Sequence, residues 1–383
     1  MKVVIAIDSF KGSMSSLAAG EAAREGILRV FPEADVDVCP LADGGEGTVE
    51  ALTLGMGGEL QRVTVTGPLG EPVEAVYGIV DAEARTAVLE IAQAAGITLV
   101  PRGKLNPLAA TTFGVGEMIL DAIKKGCRSF IVGIGGSATN DGGAGMLQAL
   151  GFELLDGEGK AIRRGAAGLR DLARIDREHV RSELWDCRFR IACDVTNPFC
   201  GPMGCSAVYG PQKGADAETI RQMDAWLAHY AAVTAEYVPA GKADVLFPGA
   251  GAAGGLGFAF RAFTNAVLQS GIRIVLEETR LEEKIKAADY VITGEGRLDA
   301  QTAMGKAPAG VAALAKKYGK PVLAFSGCVT EDAGICNEHG IDAFFPILRS
   351  VAALSEVLEP SGAMRNMAAT VEQVIRLIKM LDK

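Results

Sequence analysis

Apolar and polar positions along the chain follow two rhythms. Residues 2–8 form an apolar run, Val3-Val4-Ile5-Ala6-Ile7, closed by Asp8. A Ser/Gly-rich turn follows, and then apolar residues at Leu17, Ala18, Ala22, Ile27 and Leu28 recur at helical spacing. The same strand–loop–helix rhythm returns from about residue 289. Tyr290-Val291-Ile292-Thr293 predicts a strand, Val311 to Ala315 a helix, Val322 to Phe325 a strand and Ala343 to Leu348 another. Two helical stretches close the chain, the last from Ala368 to Leu381. Continuous apolar strands alternating with helices predict a parallel sheet covered on both faces, with right-handed crossovers.

The middle of the chain differs. Val63 to Thr66, Glu74 to Ile79 and Ala87 to Ile91 are short runs broken by Gly-Pro and Gly, the pattern of antiparallel strands. Beyond them the pattern predicts a helix at Val115 to Lys125, a buried strand Phe130-Ile131-Val132 and a helix after Gly143. A strand at Phe189 to Cys193 and a helix from Ala217 to Val233 complete it. The fold class expected is α/β with two domains. A discontinuous parallel-sheet domain (1–65 and 285–383) receives an inserted α/β domain with a mixed sheet (66–284). Ligands of open α/β sheets bind beyond the carboxyl ends of the strands, so polar residues just past a strand are the candidates for chemistry, and a cleft beside the insert is their expected place.

A chain of 383 residues exceeds what one core usually organises. The net charge of −9 and the absence of a Lys/Arg stripe argue against nucleic acid as a partner. Among the eight cysteines no C-x-x-C pair occurs, so buried, reduced thiols are expected rather than zinc or disulfides. No apolar run reaches the ~18 residues of a membrane span, and the N-terminal run is too short for a signal peptide. A cytoplasmic location is therefore expected, with no membrane contact.

Five glycine-rich, polar stretches stand at expected strand ends. Asp8-Ser9-Phe10-Lys11-Gly12 offers an acid and a base at the tip of the first strand, or else a helix N-cap by Ser13, Ser15 or Ser16. Ala42-Asp43-Gly44-Gly45-Glu46-Gly47-Thr48 places carboxylates among glycines that let a ligand approach the backbone. Gly133-Ile134-Gly135-Gly136-Ser137-Ala138-Thr139-Asn140-Asp141-Gly142-Gly143, between a strand and a helix, is the best phosphate cradle. Its N–H groups can form an anion nest, the helix N-terminus adds positive potential, and Ser137, Thr139 and Asn140 add donors. The fourth stretch is Asp194-Val195-Thr196-Asn197-Pro198, with Lys213 following. The fifth is Thr293-Gly294-Glu295-Gly296-Arg297-Leu298-Asp299, with Lys306 close behind. These acids suit Mg²⁺ and a hydroxyl acceptor, and these cations suit phosphate charge.

Gly249-Ala250-Gly251-Ala252-Ala253-Gly254 matches the dinucleotide pattern G-x-G-x-x-G, but Pro248 precedes it where a strand is required. A loop packing a helix start against its neighbour is the better reading. No G-x-x-x-x-G-K-[ST], no protein-kinase catalytic loop and no H-E-x-x-H occurs, and the three histidines are scattered.

In order along the chain, Asp8 to Gly12, Ala42 to Thr48, Gly135 to Gly145, Cys193 to Pro198, Gly210 to Gly214, Pro248 to Gly255 and Thr293 to Gly296 resemble the type 1 bacterial glycerate kinases, from Met1 to the C-terminus. Only Ile7, where that family often has Pro, departs from the pattern. The resemblance implies a Rossmann-like first domain, a site in the cleft, ATP with Mg²⁺, and (R)-glycerate as substrate, with 2-phosphoglycerate favoured over 3-phosphoglycerate as product. On this basis Gly135, Gly136, Ser137, Thr139 and Asn140 cradle ATP, with Lys213 or Lys306 offsetting charge. Asp194 and Glu295 hold Mg²⁺ or its waters, while Asp8, Lys11, Asp43 and Arg297 gather glycerate. Asp194 is the first choice for the carboxylate facing the reacting hydroxyl, and Asp299 the second. The assembly stays open, a homodimer being one form. The rival readings are an NAD-dependent oxidoreductase and a non-catalytic sugar-acid sensor.

Overall fold

The computed structural model describes residues 1–41, 47–81 and 85–381. Along the chain the strands are β1 (Lys2–Ile7), β2 (Asp35–Val38), β3 (Glu59–Thr66), β4 (Pro72–Val80), β5 (Thr86–Glu90), β6 (Ser129–Gly133), β7 (Glu153–Leu155), β8 (Arg174–Asp176), β9 (Arg188–Ala192), β10 (Ala266–Gln269), β11 (Tyr290–Leu298), β12 (Val322–Val329) and β13 (Ala343–Pro346). The described residues form two compact units. One draws on Met1–Asp43, Glu50–Met56 and Ile272–Lys383, the other on Gly44–Val49 and Gly57–Gly271.

The first unit is built on a five-stranded sheet of order β13-β12-β11-β1-β2, every neighbouring pair parallel. Val3, Val4, Ile5 and Ala6 are all fully buried, which is why β1 reads as an unbroken apolar run rather than an alternating one. Ile5 and Ile7 share a core with Ala23 and Ile27 of the helix Ser16–Leu28 and with Met367, Val371 and Ile375 of the helix Pro360–Leu381. Counted within the unit, the strand order is 2-1-3-4-5. This is the flavodoxin-like variant of the doubly wound fold, so the expected Rossmann-like domain takes that order. The order reverses between β1 and β11, and in such sheets the ligand crevice opens at that reversal.

The second unit carries a six-stranded mixed sheet of order β10-β9-β6-β5-β4-β3, with β7 and β8 pairing separately. Strands β3, β4 and β5 are antiparallel as expected, while β5, β6, β9 and β10 run parallel. Thus β5 is the hinge between the two modes. Stacked Phe130 and Phe189, and Phe199 and Phe258, fill the core, their ring centres 4.7 and 4.1 Å apart. The units divide earlier than the sequence reading drew at both ends. β3 pairs with β4 along its whole length and so belongs to the mixed sheet. The helix Leu281–Ala287 buries Leu281 and Ile285, and Lys284 Nζ donates to Cys39 Sγ at 3.3 Å within the first unit.

All eight cysteines are free thiols. Five are buried, Cys193 and Cys200 are half-buried, and Cys328 is exposed, against the expectation of burial. Among the described residues no helix is long and apolar enough to cross a membrane.

Candidate active site

In the first unit the chemistry gathers where the strand order reverses. Asp8, directly after β1, is 8% exposed; its N–H donates to the Gly294 carbonyl at 2.8 Å and its Oδ1 accepts from Ser9 N–H at 2.7 Å. Gly294 is required by close approach, since a Cβ there would stand 1.9 Å from the Phe325 carbonyl oxygen of β12. Ser15 provides the N-cap of the first helix. Ser16 is buried instead, donating to the Ile7 carbonyl at 2.5 Å and accepting from Leu41 N–H at 2.8 Å. The end of β1 is thereby tied to the residue that enters the second glycine-rich motif. Lys11 is exposed beyond Asp8. Asp43 lies outside the described residues.

Glu295, on β11, is 8% exposed and accepts from Thr302 Oγ1 at 2.5 Å. Burial raises its carboxyl pKa, opposed by that hydroxyl and by the nearby Lys306 ammonium. Asp299 caps the short helix Ala300–Ala303, accepting from Gln301 and Thr302 N–H at 3.0 and 3.3 Å. Lys306 Nζ stands 3.7 Å from both Glu295 and Asp299, too far for a hydrogen bond to either. An ammonium held by two carboxylates yet bonded to neither can turn to a phosphate oxygen. Arg297 is largely exposed and pairs with Asp299 at 3.4 Å, a surface contact worth little in stability.

In the second unit the parallel strands end side by side. Glu90 is in register with Gly133 and Gly133 with Ala192, so Glu90, the long glycine loop and Asp194 share one sheet edge. Gly135 and Gly136 are exposed at the tip, whereas Ser137, Thr139 and Asn140 are 7, 0 and 0% exposed. Lys213 is 2% exposed, and its ammonium donates to Ser137 Oγ at 2.9 Å and to the Thr139 carbonyl at 2.6 Å. Burial pushes Lys213 down to about 8, the Cys205 thiol and Asp141 opposing. Asp194 is exposed, with Oδ1 accepting from Gly271 N–H at 3.1 Å.

Two expectations for this loop are corrected. The N-terminus of the helix Ala144–Ala149 does not face outward to an anion. Buried Asp141 occupies it, accepting from Gly143 N–H at 3.1 Å, Gly145 N–H at 3.2 Å, Thr112 N–H at 2.8 Å and Thr112 Oγ1 at 3.0 Å. The side chains of Thr139 and Asn140 lie inside the protein rather than on the loop surface, Asn140 Nδ2 donating to Ser206 Oγ at 2.8 Å. Sequence reasoning also passed over Glu90 and Asp141 as working residues. Glu90 is 3% exposed, and its Oε1 accepts from Val49 N–H at 2.7 Å. An apolar run ending in an acid, the signal that picked out Asp8, was present there too.

The Gly249–Gly254 stretch is a packing device, as expected. It follows a turn, and Gly254 lies so close to the phosphate-loop candidate that a Cβ would meet the Thr139 carbonyl oxygen at 2.0 Å. Among the described residues no three His, Cys, Asp or Glu side chains cluster to hold a metal ion. Mg²⁺ is a hard cation that takes one or two carboxylates and completes its shell with phosphate oxygens and water. Glu295, within β11 of the first unit, and Asp194, just past β9 of the second, each offer a carboxylate of that kind.

Acid–lysine chemistry at a reversal of strand order and a glycine loop braced from below define an α/β enzyme of the phosphotransferase class. The chain belongs to the glycerate kinase family, whose model matches residues 3–379. It is 46% identical over 378 residues to a glycerate kinase of Haemophilus influenzae, covering 99% of each chain. It is 48% identical over 375 residues to the glycerate 2-kinase of Escherichia coli K12, covering 97% of this chain and 98% of the relative. A crystal structure from Salmonella typhimurium LT2, provisionally assigned as glycerate kinase 2, superposes with a TM-score of 0.92 at 45% identity, covering 100% and 99% of the two chains.

Proposed function

We propose that this kinase transfers the γ-phosphoryl group of ATP to a hydroxyl of (R)-glycerate, the 2-hydroxyl in preference to the 3-hydroxyl, in the cytoplasm. The observation that carries the reading is the exposed Gly135–Gly136 tip braced by buried Lys213, in a chain similar throughout its length to proteins named glycerate kinase and glycerate 2-kinase.

In the reaction a bond forms between the glycerate hydroxyl oxygen and the γ-phosphorus while the β–γ bridging P–O bond breaks, giving ADP and phosphoglycerate. Charge spreads over the γ-phosphoryl oxygens, so positioning and electrostatics supply most of the acceleration. Gly135, Gly136 and Ser137 cradle the phosphates. Lys306 turns from its two carboxylates to the developing charge. Asp194 faces the reacting hydroxyl and takes its proton late; Asp299, already committed as a helix cap, stands second for this part. Lys11 receives the glycerate carboxylate, with Asp8 orienting a hydroxyl and Arg297 at the margin. Asp43 keeps its proposed place with the substrate. Asp194 or Glu295 would hold Mg²⁺, which when bound offsets phosphate charge.

An NAD-dependent oxidoreductase finds no support in a glycine pattern buried against Thr139. A non-catalytic sensor is separated by coupled detection of ADP release in the presence of glycerate. Phosphorus NMR of the product tests the reading directly. A 2-phosphoglycerate resonance is expected; no phosphoglycerate at all would end the proposal, and 3-phosphoglycerate alone would overturn the regiochemistry.

A further inference from the structure

Lys213 combines three properties that a phosphate ligand does not ordinarily share. Its side chain is buried, its ammonium already serves two acceptors of the protein, and those acceptors flank a single residue of the glycine loop. Ser137 Oγ and the Thr139 carbonyl receive its hydrogen bonds at 2.9 and 2.6 Å, so Ala138 is held between two anchored neighbours. The loop is also tied from above: Ala138 N–H donates to the Ala95 carbonyl, and Ile97 N–H to the Gly136 carbonyl, both at 2.8 Å. One step further along, Asp141 fastens the loop's exit to Thr112, Gly143 and Gly145. What remains at the surface is Gly135 and Gly136. Glycine is the residue least able to hold a backbone direction by itself, so the orientation of this tip must come from its anchors.

We propose that Lys213 is a positioning residue for nucleotide binding: from beneath the loop its ammonium clamps Ser137 to Thr139 and thereby aims the Gly135–Gly136 backbone at the phosphates without touching them. This rests on the kinase reading above and adds to it how the cradle is held in shape. A neutral amine would keep fewer and weaker donors, since hydrogen bonds from an ionised donor are roughly twice as strong as neutral ones. The titratable groups facing Lys213 are Asp141 from the loop and Cys205 from the helix Cys205–Tyr209. Burial pushes the Cys205 thiol up to about 12, so it is uncharged around neutrality. Asp141 is likewise raised by burial, against the pull of its four hydrogen bonds. With Lys213 down to about 8, the clamp loses its charge on mildly alkaline titration.

The test compares wild type, Lys213→Met and Lys213→Arg by calorimetric binding of a magnesium-loaded, non-hydrolysable ATP analogue and by steady-state kinetics in both substrates. Loss of the clamp is expected to lower kcat/KM for ATP by about 100-fold, the scale of a misplaced binding group, and to weaken the analogue in parallel. KM for glycerate should stay within about twofold, and Arg should restore part of the loss, since its donors also carry charge. In wild type kcat/KM for ATP should fall as pH rises through about 8, and this limb should vanish in Lys213→Met. Equal analogue affinity in wild type and Lys213→Met overturns the proposal, as does an equal loss toward ATP and glycerate. Should the Met variant fail to fold, a wild-type profile flat through that pH range overturns it alone. A wild type that binds the analogue but never phosphorylates glycerate refutes the kinase reading and leaves the clamp to be judged by binding.

Discussion

The Thr302 hydroxyl donates to Glu295 Oε1 at 2.5 Å while the Lys306 ammonium stands 3.7 Å from Oε2 of the same carboxylate. One oxygen is engaged by a neutral donor and the other faces a cation that has not closed on it. Glutamine can keep the first contact but carries no charge. Glu295→Gln is therefore expected to lower kcat by about 100-fold, the scale of losing one preorganised electrostatic group. Its stability should move the other way. A carboxyl whose folded pKa is raised holds its proton longer in the folded chain, so its contribution to stability falls as pH rises from the unfolded value of 4.5 toward the folded one. Melting temperature at pH 7 should thus be unchanged or higher in the variant, with the gain shrinking as pH is lowered toward 4. A lower melting temperature with full activity would show a purely structural acid.

Asp194 presents the complementary case, an exposed acid at the end of β9 with Oδ1 on Gly271 N–H. Asparagine retains that acceptor, so the strand end should keep its shape. Asp194→Asn is expected to cut kcat by about 100-fold or more, within the range for removal of a general base, at nearly constant melting temperature. A kcat within tenfold of wild type would remove Asp194 from the reacting hydroxyl and pass the part to Asp299, testable by the same substitution there.

The elements legible from sequence were those whose burial matched one period. β1 and β6 are apolar after their first residue, and β11 and β12 open on buried apolar runs, because both faces are covered there; the helices Phe113–Lys124 and Ala217–Ala235 fall within a few residues of their expected ends. Edge strand β2, Asp-Val-Asp-Val, has no fully buried position and gave no such signal. The glycine loop was readable as a special backbone, but not which of its side chains face inward. That depends on Lys213, 76 residues further along, reaching Ser137, and on Ser206 reaching Asn140. Asp141 shows the limit most plainly, for nothing in the sequence singles it out within the loop, whereas four donors brought in by folding make it an internal brace.

Packing against that loop makes Gly254 a sensitive position. Its φ is +68°, and a Cβ would lie 2.0 Å from the Thr139 carbonyl oxygen, one of the two acceptors of Lys213. Gly254→Ala must therefore strain its own backbone or displace the loop. A loss of about 3 kcal/mol in unfolding free energy is expected, at the upper end for a single strained residue. Affinity for ATP should drop with it, both read from denaturant unfolding and nucleotide titration. Stability within about 0.5 kcal/mol of wild type, the ordinary scatter of surface substitutions, would mean that the contact relaxes freely.

The buried ammonium of Lys213 makes a separate prediction about folding, because its pKa falls from 10.5 to about 8. Between those values the folded chain has released this proton while the unfolded chain still holds it. The unfolded state binds more protons there, so this group adds stability as pH rises from about 8 to 10.5, and below 8 the charged form is a cost to the fold. Lys213→Met removes the titration and leaves every other group in place. Denaturant unfolding of both proteins at pH 7, 8, 9 and 10 isolates the effect as a difference. Wild type should gain on the variant by up to about 3 kcal/mol across the window, a tenfold change in proton affinity being worth about 1.4 kcal/mol. A difference that stays flat with pH would mean that the folded and unfolded chains hold this proton alike, so that the amine stays charged through the window and the clamp on Ser137 and Thr139 would not lose its charge near pH 8.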